Sequence, residues 1–267
     1  MNILFIGDLV SEASVAYLEA NWAALHARCQ PDFVVANAEN LALGMAPGAP
    51  SLCGMTTPLV ERLFALGVHV LTGGNHSWDG PEGRTIHDEA RILRPLNYSP
   101  HAPGRGALIV ERRGYRLGII NLMSQTAMPG VDWPLDVFER QLVAWHGQVD
   151  GVLVDFHGES VLEKLAFAFA VDGYAVGVLG THTHVPTSDV RLLPQGTAYV
   201  SDVGMTGPSG GIQGYDPQMF VERLRLRLPS LSPLRFAAGP IELGAVLLRV
   251  EGQRALDIQR ITLDESS

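Results

Sequence analysis

The chain has 267 residues, of which 46% are hydrophobic, enough to build a sizeable core in one large domain or two small ones. Its 19 basic and 28 acidic residues give a formal net charge of −9, and an acidic surface argues against binding to duplex nucleic acid. Two cysteines provide neither a disulfide framework nor a Cys-x-x-Cys zinc motif. The longest uninterrupted apolar run, Leu165–Val171, is far shorter than the ~20 residues that span a bilayer. We therefore expect a cytoplasmic protein without a membrane segment.

The N-terminal half alternates strand-like and helix-like segments. The apolar run Asn2–Gly7 predicts a first strand rather than a signal peptide, because it lacks a basic leader and meets Asp8 at once. Between Glu12 and Cys29, apolar residues recur at spacings of three and four, which predicts a helix. The further predictions are strands at 33–36 and 68–72, a Gly/Pro-rich loop through Pro50, a helix opened by Thr57-Pro58 and ending near Gly67, and a loop from Ser77 to Arg105 with one short helix around Thr85–Leu93.

The C-terminal half continues this alternation and becomes richer in strands. Ala107–Arg112 and Tyr115–Leu122 flank Arg113-Gly114 and predict a hairpin. Ser160-Val-Leu-Glu163 matches a capping box that opens a helix to Val171. Because the segments alternate without a linker, we expect residues 1–267 to form a single α/β domain, with sheets stacked face to face and helices outside. The remaining predictions are helices at 137–146 and 217–228, strands at 151–156 and 198–202, a Gly-rich loop at 204–214, and closing antiparallel strands at 243–250 and 255–261.

The segment Val176–His184 carries the pattern on which the functional interpretation depends. An apolar run leads into the polar end Thr181-His182-Thr183-His184. If this is one strand, side chains two residues apart face the same way, so both imidazoles would point to one centre. Neutral imidazole is the commonest metal ligand in proteins. Two unrelated loop histidines are the alternative for this motif taken alone.

Polar residues also follow the other predicted strands. An open parallel sheet binds its ligands beyond the carboxyl ends of its strands, so we expect these residues to share one site. The expected metal ligands are Asp8, Glu39, Asn40, Asn75, His157, His182 and His184.

This set contains two carboxylates, two carboxamides and three imidazoles, but no sulfur. One cation rarely takes so many ligands, which favours two cations sharing a bridging carboxylate; Mn, Fe, Zn and Mg all suit these donors. Such a pair would hold the oxygens of a phosphoryl group and lower the pKa of a bound water. His76, directly after Asn75, is the predicted catalytic residue, donating a proton to the leaving oxygen or stabilising charge on the phosphate.

Each ligand also has an ordinary structural interpretation. Asp8 would cap the next helix, Glu39 would be a solvated loop acid, and Asn40 and Asn75 would form turns. His157 would be bonded to backbone at the edge of the core. Coincidences at five separate strand ends are harder to accept than one shared site.

Several motifs resemble the calcineurin-like metallophosphoesterases. Gly7-Asp8, Gly74-Asn75-His76 and Gly180-Thr-His182-Thr-His184 resemble the signatures of that superfamily. The resemblance to its bacterial YmdB-type branch covers nearly the whole chain. It rests on Ala38-Glu39-Asn40, Gly74-Asn-His-Ser-Trp-Asp79, Val154-Asp-Phe-His157, Gly180-Thr-His-Thr-His-Val185 and Asp202-Val-Gly-Met-Thr-Gly-Pro208.

The resemblance implies a four-layer α/β/β/α sandwich, a dinuclear metal centre and phosphodiesterase activity on small phosphoesters, with 2′,3′-cyclic nucleotides as the substrate class. The ions expected are Fe or Mn, with Mg or Zn as alternatives. The sequence leaves the oligomeric state open, with a homo-oligomer as one alternative. His76 would be the catalytic histidine. By position, one metal would be held by Asp8, Glu39, Asn40 and His184, and the other by Glu39 as the bridge with Asn75, His157 and His182.

The sequence departs from the superfamily pattern at three places. Asp8-Leu-Val10 lacks the usual histidine of the first motif, for which Asn40 is the expected substitute. Ser77 replaces an acid that often follows Asn-His, so the partner of His76 stays open, with Asp79 as a candidate. Ser124-Gln125 occupies the position of a Gly-Arg pair that is frequent in the YmdB-type branch, which predicts a different substrate contact.

The Gly-rich loop after residue 204 is expected to form tight turns. The alternative is that its backbone N–H groups bind a phosphate, with Thr206 and Ser209 as the weak candidates for substrate contact. Two other functions stay open at this point. An amidohydrolase usually carries His-x-His on its first strand, where this chain has only Asp8. A regulatory metal-binding protein with incidental activity would not need His76.

Overall fold

The computed structural model describes residues 1–42, 53–228 and 235–263. The predicted Gly/Pro-rich loop through Pro50 lies mostly outside the described residues. Among the described residues, no helix is long and apolar enough to cross a membrane. The helices are α1 (Ser11–Cys29), α2 (Thr57–Leu66), α3 (Pro134–Ala144), α4 (Val161–Ala170) and α5 (Pro217–Leu226), with a 3₁₀ turn at Ile86–Asp88. The strands are β1 (Asn2–Ile6), β2 (Phe33–Asn37), β3 (Val70–Thr72), β4 (Ala107–Arg112), β5 (Tyr115–Met123), β6 (Gly151–His157), β7 (Gly177–Thr181), β8 (Arg191–Leu192), β9 (Ala198–Val200), β10 (Gly207–Pro208), β11 (Ile241–Glu242), β12 (Ala245–Glu251) and β13 (Arg254–Arg260).

Two large mixed sheets form the frame. The first has the strand order β13-β12-β1-β2-β3, in which β1, β2 and β3 run parallel. The second has the order β4-β5-β6-β7-β9-β8, in which β5, β6, β7 and β9 run parallel between antiparallel edge strands. Strands β10 and β11 make a separate two-stranded ribbon. The parallel strands of each sheet therefore end at a common edge.

Alternation along β1 explains why the first sheet is covered on both faces. Ile3 and Phe5 lie in the core between the two sheets, whereas Leu4 and Ile6 pack in the cluster that contains the buried face of α1 and α2. Successive side chains of a strand point to opposite faces, so a strand with apolar residues at every position requires a layer on each side.

The second sheet repeats this arrangement. Leu153 of β6 faces the core between the sheets, while Val152 and Val154 face Phe138 of α3 and Phe167 of α4. The layers are therefore helix, sheet, sheet, helix, which confirms the predicted α/β/β/α sandwich.

Two local predictions are wrong. The helix expected around Thr85–Leu93 is only the 3₁₀ turn Ile86–Asp88, because the following residues pair with β3: Leu93 N–H donates to the Leu71 carbonyl at 2.8 Å. The strand expected to reach His184 ends at Thr181. His182 and His184 have φ values of +103° and +64°, so strand alternation does not orient them.

The predicted capping box at Ser160 is half formed. Ser160 Oγ accepts from Glu163 N–H at 3.2 Å, as expected of an N-cap. The Glu163 carboxylate instead accepts from Ser124 Oγ, Thr126 Oγ1 and the backbone N–H groups of Gln125 and Thr126. It thereby ties the segment after β5 to the first turn of α4, at the position where the sequence departs from the YmdB-type pattern.

We expect Glu163→Gln to lower the free energy of unfolding by about 2 kcal/mol at neutral pH, because the donors to this carboxylate lose a charged acceptor. Burial raises the pKa of Glu163, but the bonds from Ser124 and Thr126 outweigh it and hold the pKa below its ordinary value of 4.5. The carboxylate therefore contributes stability above that pH and loses it as the pH falls through the lowered pKa. Urea unfolding at pH 7 and in acid measures this, with exposed Glu139→Gln as the control. A difference from wild type that grows in acid would contradict the assignment.

Candidate metal centre

The predicted ligands converge where the parallel strands of both sheets end. Asp8 follows β1, Glu39 follows β2 and Asn75 follows β3, while His157 is the last residue of β6 and His182 comes directly after β7. Because the two sheets pack face to face, the ends of β1, β2 and β3 meet those of β6 and β7. The structure thus brings together residues that are more than 170 positions apart in the chain.

Glu39, His157 and His182 form the closest group. His157 Nε2 lies 2.9 Å from Glu39 Oε1 and 3.0 Å from His182 Nδ1. Asn75 Oδ1 is 3.1 Å from the same His157 nitrogen. The ligand atoms of the first three residues all lie within 4.8 Å of one another, a spacing that suits coordination of one ion.

Asp8, Asn40 and His184 form a second group beside the first. His184 Nε2 lies 3.2 Å from Asn40 Nδ2 and 3.8 Å from Asp8 Oδ1. Asp8 Oδ1 is also 4.0 Å from His157 Nδ1, so Asp8 adjoins both groups. This oxygen is buried and has no hydrogen-bond partner among the described residues. An ionised carboxylate oxygen buried without a partner is costly, and coordination of a cation would satisfy it.

The electrostatics of the first group also suit a cation. Burial raises the pKa of Glu39, but neighbouring His157 outweighs it and lowers the pKa to about 2. Burial lowers the pKa of His157, yet Glu39, Asp8 and Asp155 together raise it to about 9. Burial and the adjacent His157 lower the pKa of His182 to about 3. The carboxylates therefore stabilise positive charge between them, and a divalent ion fits that field and this oxygen and nitrogen donor set.

A buried network that sequence reasoning missed holds His157. Its Nδ1 lies 2.9 Å from Thr181 Oγ1, which donates to Asp155 Oδ1 at 2.6 Å. Asn37 Nδ2 and Thr72 Oγ1 donate to the other oxygen of Asp155. Burial raises the pKa of Asp155 to about 6 against these bonds. The signal was an acid inside the apolar run of β6, and such outer partners orient metal-binding histidines.

A second missed network holds the loop that carries both histidines of the His-x-His motif. Asp202 Oδ2 accepts from Thr183 N–H at 3.0 Å and from Lys164 Nζ at 3.2 Å. Lys164 Nζ also donates to the Thr181 carbonyl at 2.8 Å. Both charged side chains are buried, so each requires the other. The signal was a lone lysine in the otherwise apolar face of α4.

His76 lies at the mouth of the site, paired with Asp79. His76 Nδ1 is 2.7 Å from Asp79 Oδ2, and the His76 backbone N–H donates to Glu39 Oε2 at 2.9 Å. Asp79, which the sequence offered as a candidate partner, is thus the residue that contacts the His76 ring. An acid bonded to Nδ1 fixes the tautomer and leaves Nε2 for proton transfer.

Thr206 and Ser209, the weak candidates for substrate contact, both hydrogen-bond to neighbouring backbone. Thr206 is fully buried, and its backbone N–H donates to the Asp8 carbonyl at 2.8 Å, so it supports the backbone of Asp8. Ser209 is exposed, but its N–H and its hydroxyl both donate to the Pro240 carbonyl at 3.0 Å. Within this loop, Gly207–Pro208 forms β10, which pairs with β11. A substrate contact by Thr206 or Ser209 stays a prediction.

We expect Gly74→Ala to abolish metal binding. A methyl group at this position would overlap the His157 ring and the Glu39 carboxylate, which must then separate. Overpacking of this kind costs about 1–3 kcal/mol and would displace both side chains. Gly130→Ala is the matched control, because nothing lies within 4 Å of its added methyl group. Thermal unfolding with and without Mn²⁺ measures both effects; a metal-dependent shift preserved in Gly74→Ala would contradict the packing argument.

Comparisons with known proteins find similarity over nearly the whole chain. A family model described as YmdB-like protein matches residues 4–261. The 2′,3′-cyclic-nucleotide 2′-phosphodiesterase of Bacillus subtilis is 36% identical over 270 residues, covering 99% of this chain and 98% of the relative. A crystal structure from Thermus thermophilus, described as a hypothetical protein, superposes with a TM-score of 0.86 at 36% identity and covers 97% of each chain. A phosphatase from Mycoplasma pneumoniae superposes with a TM-score of 0.88 at 29% identity, covering 98% of this chain and 93% of that one.

The four-layer fold and the oxygen and nitrogen donor set define a phosphoester hydrolase of the metallophosphoesterase type. The match over residues 4–261 narrows the class further: the chain belongs to the YmdB-like protein family. The resemblance drawn from the motifs is thereby confirmed.

Proposed function

We propose that the chain is a metal-dependent phosphodiesterase that hydrolyses small phosphodiesters, with 2′,3′-cyclic nucleotides as the substrate class. The observation that carries this proposal is the convergence of acidic, amide and imidazole side chains at one edge of two packed sheets. The B. subtilis relative, which is named for that substrate class and matches almost the full length of both chains, supports the choice of substrate.

The contacts support two metal ions, divided as the resemblance implied. Asn40 and His184 contact each other beside Asp8. On the other side, His157 Nε2 contacts a carboxylate oxygen of Glu39, and both Asn75 and His182 contact that same nitrogen. Glu39 would bridge the two ions. Fe or Mn are the proposed metals, with Mg or Zn as alternatives, because these ions share a preference for such donors.

Bound ions would supply Lewis-acid stabilisation of the phosphoryl oxygens and a water activated for attack on phosphorus. The chain supplies the proton that the leaving oxygen needs. As the bond from phosphorus to the leaving sugar oxygen breaks, His76 Nε2 donates a proton to that oxygen. Asp79 contacts the other ring nitrogen and fixes the orientation of the imidazole.

Activity and metal content measured together test this proposal. The purified protein is analysed for Fe, Mn, Zn and Mg, then assayed on bis-p-nitrophenyl phosphate and on 2′,3′-cyclic AMP. We expect about two ions per chain and turnover of both compounds, lost after chelation and restored by Mn²⁺. Metal-loaded protein without turnover would instead favour a regulatory metal-binding protein.

Three broader expectations accompany this function. The core shared by both sheets supports the proposal of a single domain over residues 1–267. Cys29 and Cys53 are free thiols, as in a reducing compartment, which supports the cytoplasm as the proposed location. The oligomeric state stays open, with a homo-oligomer as one alternative, and sedimentation velocity measures it.

A further inference from the structure

A second group of possible metal ligands lies beside the candidate centre. The Cys53 sulfur, a ring nitrogen of His76 and a carboxylate oxygen of Asp79 all lie within 4.8 Å of one another. Neither Cys53 nor Asp79 belongs to the seven proposed ligands. Thiolate, imidazole and carboxylate in one group are typical of zinc, whereas the neighbouring centre offers only oxygen and nitrogen.

The backbone holds these three side chains in place. His76 and Asp79 belong to one turn, in which the Asp79 N–H donates to the His76 carbonyl at 3.0 Å. Cys53 is held against that turn by Gly54, which has a φ of +96° and whose missing side chain admits the Asp79 carbonyl. The Gly54 N–H in turn donates to the Glu39 carbonyl. The group is thus assembled by the same segments that build the metal centre.

Exposure and charge also suit an ion at this place. Cys53 is 5% exposed, whereas the side chains of His76 and Asp79 are 36% and 44% exposed, so an ion can enter from solvent and retain a water ligand. The nearby Tyr215 hydroxyl acts to lower the pKa of the Cys53 thiol, as an outer partner of a thiolate ligand would. Burial, followed by the charges of Glu39 and Asp79, raises the pKa of Cys53 to about 12. The thiol is therefore protonated without a cation, and the same negative field favours a cation that displaces the proton.

We infer that Cys53, His76 and Asp79 form a third, inhibitory metal site that takes Zn²⁺. Zinc–ligand distances of about 2.0–2.3 Å place tetrahedral ligand atoms roughly 3.3–3.7 Å apart, a spacing that side-chain rotation can reach from the present one. Zinc bound at this site makes the His76 imidazole a ligand, so it no longer transfers a proton. It also breaks the contact between His76 and Asp79. The inhibitory effect rests on the proposed function, whereas binding of the ion does not.

Cobalt absorption tests binding without any assay of activity. The proposed dinuclear centre contains no sulfur, and the chain has 2 cysteines, so a thiolate-to-cobalt charge-transfer band must come from Cys29 or Cys53. Cys29 is the matched control, because it is also buried but lies at the end of α1. We expect the band in wild type and in Cys29→Ser, and its loss in Cys53→Ser. A wild type without the band, or a Cys53→Ser protein that retains it, overturns the proposal.

Asp79→Asn provides a second variant in case Cys53→Ser does not fold. It changes a half-exposed side chain and keeps the thiol, so circular dichroism should match wild type. We expect at least about a tenfold increase in the cobalt concentration needed for the band, since an anionic ligand is lost. An unchanged titration would exclude the carboxylate from the site.

Zinc inhibition tests the regulatory part. The Mn²⁺-loaded enzyme is titrated with Zn²⁺, and turnover of wild type and Cys29→Ser should fall by about 100-fold, the lower range of what a general acid contributes. Cys53→Ser should keep its basal activity and require at least about tenfold more zinc. Equal inhibition of all three proteins would mean that zinc acts at the dinuclear centre and would overturn the inhibitory role. Absence of turnover in every protein would contradict the proposed function, while the cobalt band would still decide whether the site binds metal.

Discussion

His76→Ala is expected to lower kcat by about 10²- to 10⁴-fold, the range that general acid catalysis contributes. The reason is local: the imidazole is the group proposed to protonate the leaving oxygen, and Asp79 holds it in the required tautomer at 2.7 Å. The contact of residue 76 with Glu39 is made by its backbone N–H, which alanine retains. Steady-state kinetics on 2′,3′-cyclic AMP should therefore show a large fall in kcat with metal content unchanged.

The choice of substrate sharpens this test. Bis-p-nitrophenyl phosphate has a leaving group that departs as a stable anion, so the loss on that compound should be smaller than on the cyclic nucleotide. Exposed His101→Ala is the control, since it removes an imidazole without touching the site. Equal kcat values in wild type and His76→Ala on the cyclic nucleotide would remove His76 from the mechanism.

Among substitutions of the proposed ligands, Glu39→Gln is expected to have the largest effect on metal binding. Glu39 is the proposed bridge, so its neutralisation weakens both ions, by more than the roughly 10- to 100-fold that loss of an outer partner typically costs. The change also leaves His157 without its anionic partner at 2.9 Å in a fully buried position, so the metal-free protein should lose stability.

Metal analysis and thermal unfolding measure the two parts separately. Wild type should gain stability with rising Mn²⁺, because a ligand that binds only the folded state raises the unfolding midpoint. Glu39→Gln should not respond over the same range. Glu12→Gln is the matched control, since its side chain is 57% exposed and its ion pair with Arg62 lies at the surface. Retention of two ions in Glu39→Gln would refute the bridging role.

The sequence by itself predicted which residues form the candidate site, because the ends of strands can be recognised in the sequence. Asp8, Glu39 and His157 each end or follow a run of buried apolar residues, and such runs form strands whatever the details of the loops. Parallel strands then must present their carboxyl ends together, which converts a linear pattern into a shared edge. The four layers follow from the same apolar runs, because a strand with apolar residues on both faces requires a covering layer on each face.

Only the tertiary structure decided how these residues are oriented. Strand alternation does not explain the orientation of His182 and His184, because both residues lie beyond β7 and have positive φ values. Hydrogen bonds with Asp202 and Lys164 hold their loop in place instead. The sequence also showed no sign of the approach of Cys53 or the burial of Thr206, and it offered Asp79 only as a candidate partner of His76.

The sequence predicts burial but not side-chain orientation, because the two depend on interactions of different range along the chain. Periodicity in a sequence reports burial, which is a property of each segment, whereas side-chain direction in a loop depends on hydrogen bonds to distant segments. Asn37 reaches Asp155 across 118 positions, and the His182 N–H reaches Asp8 across 174. The sequence therefore determined which residues compose the candidate site, and the packing of two sheets decided what each of them contacts.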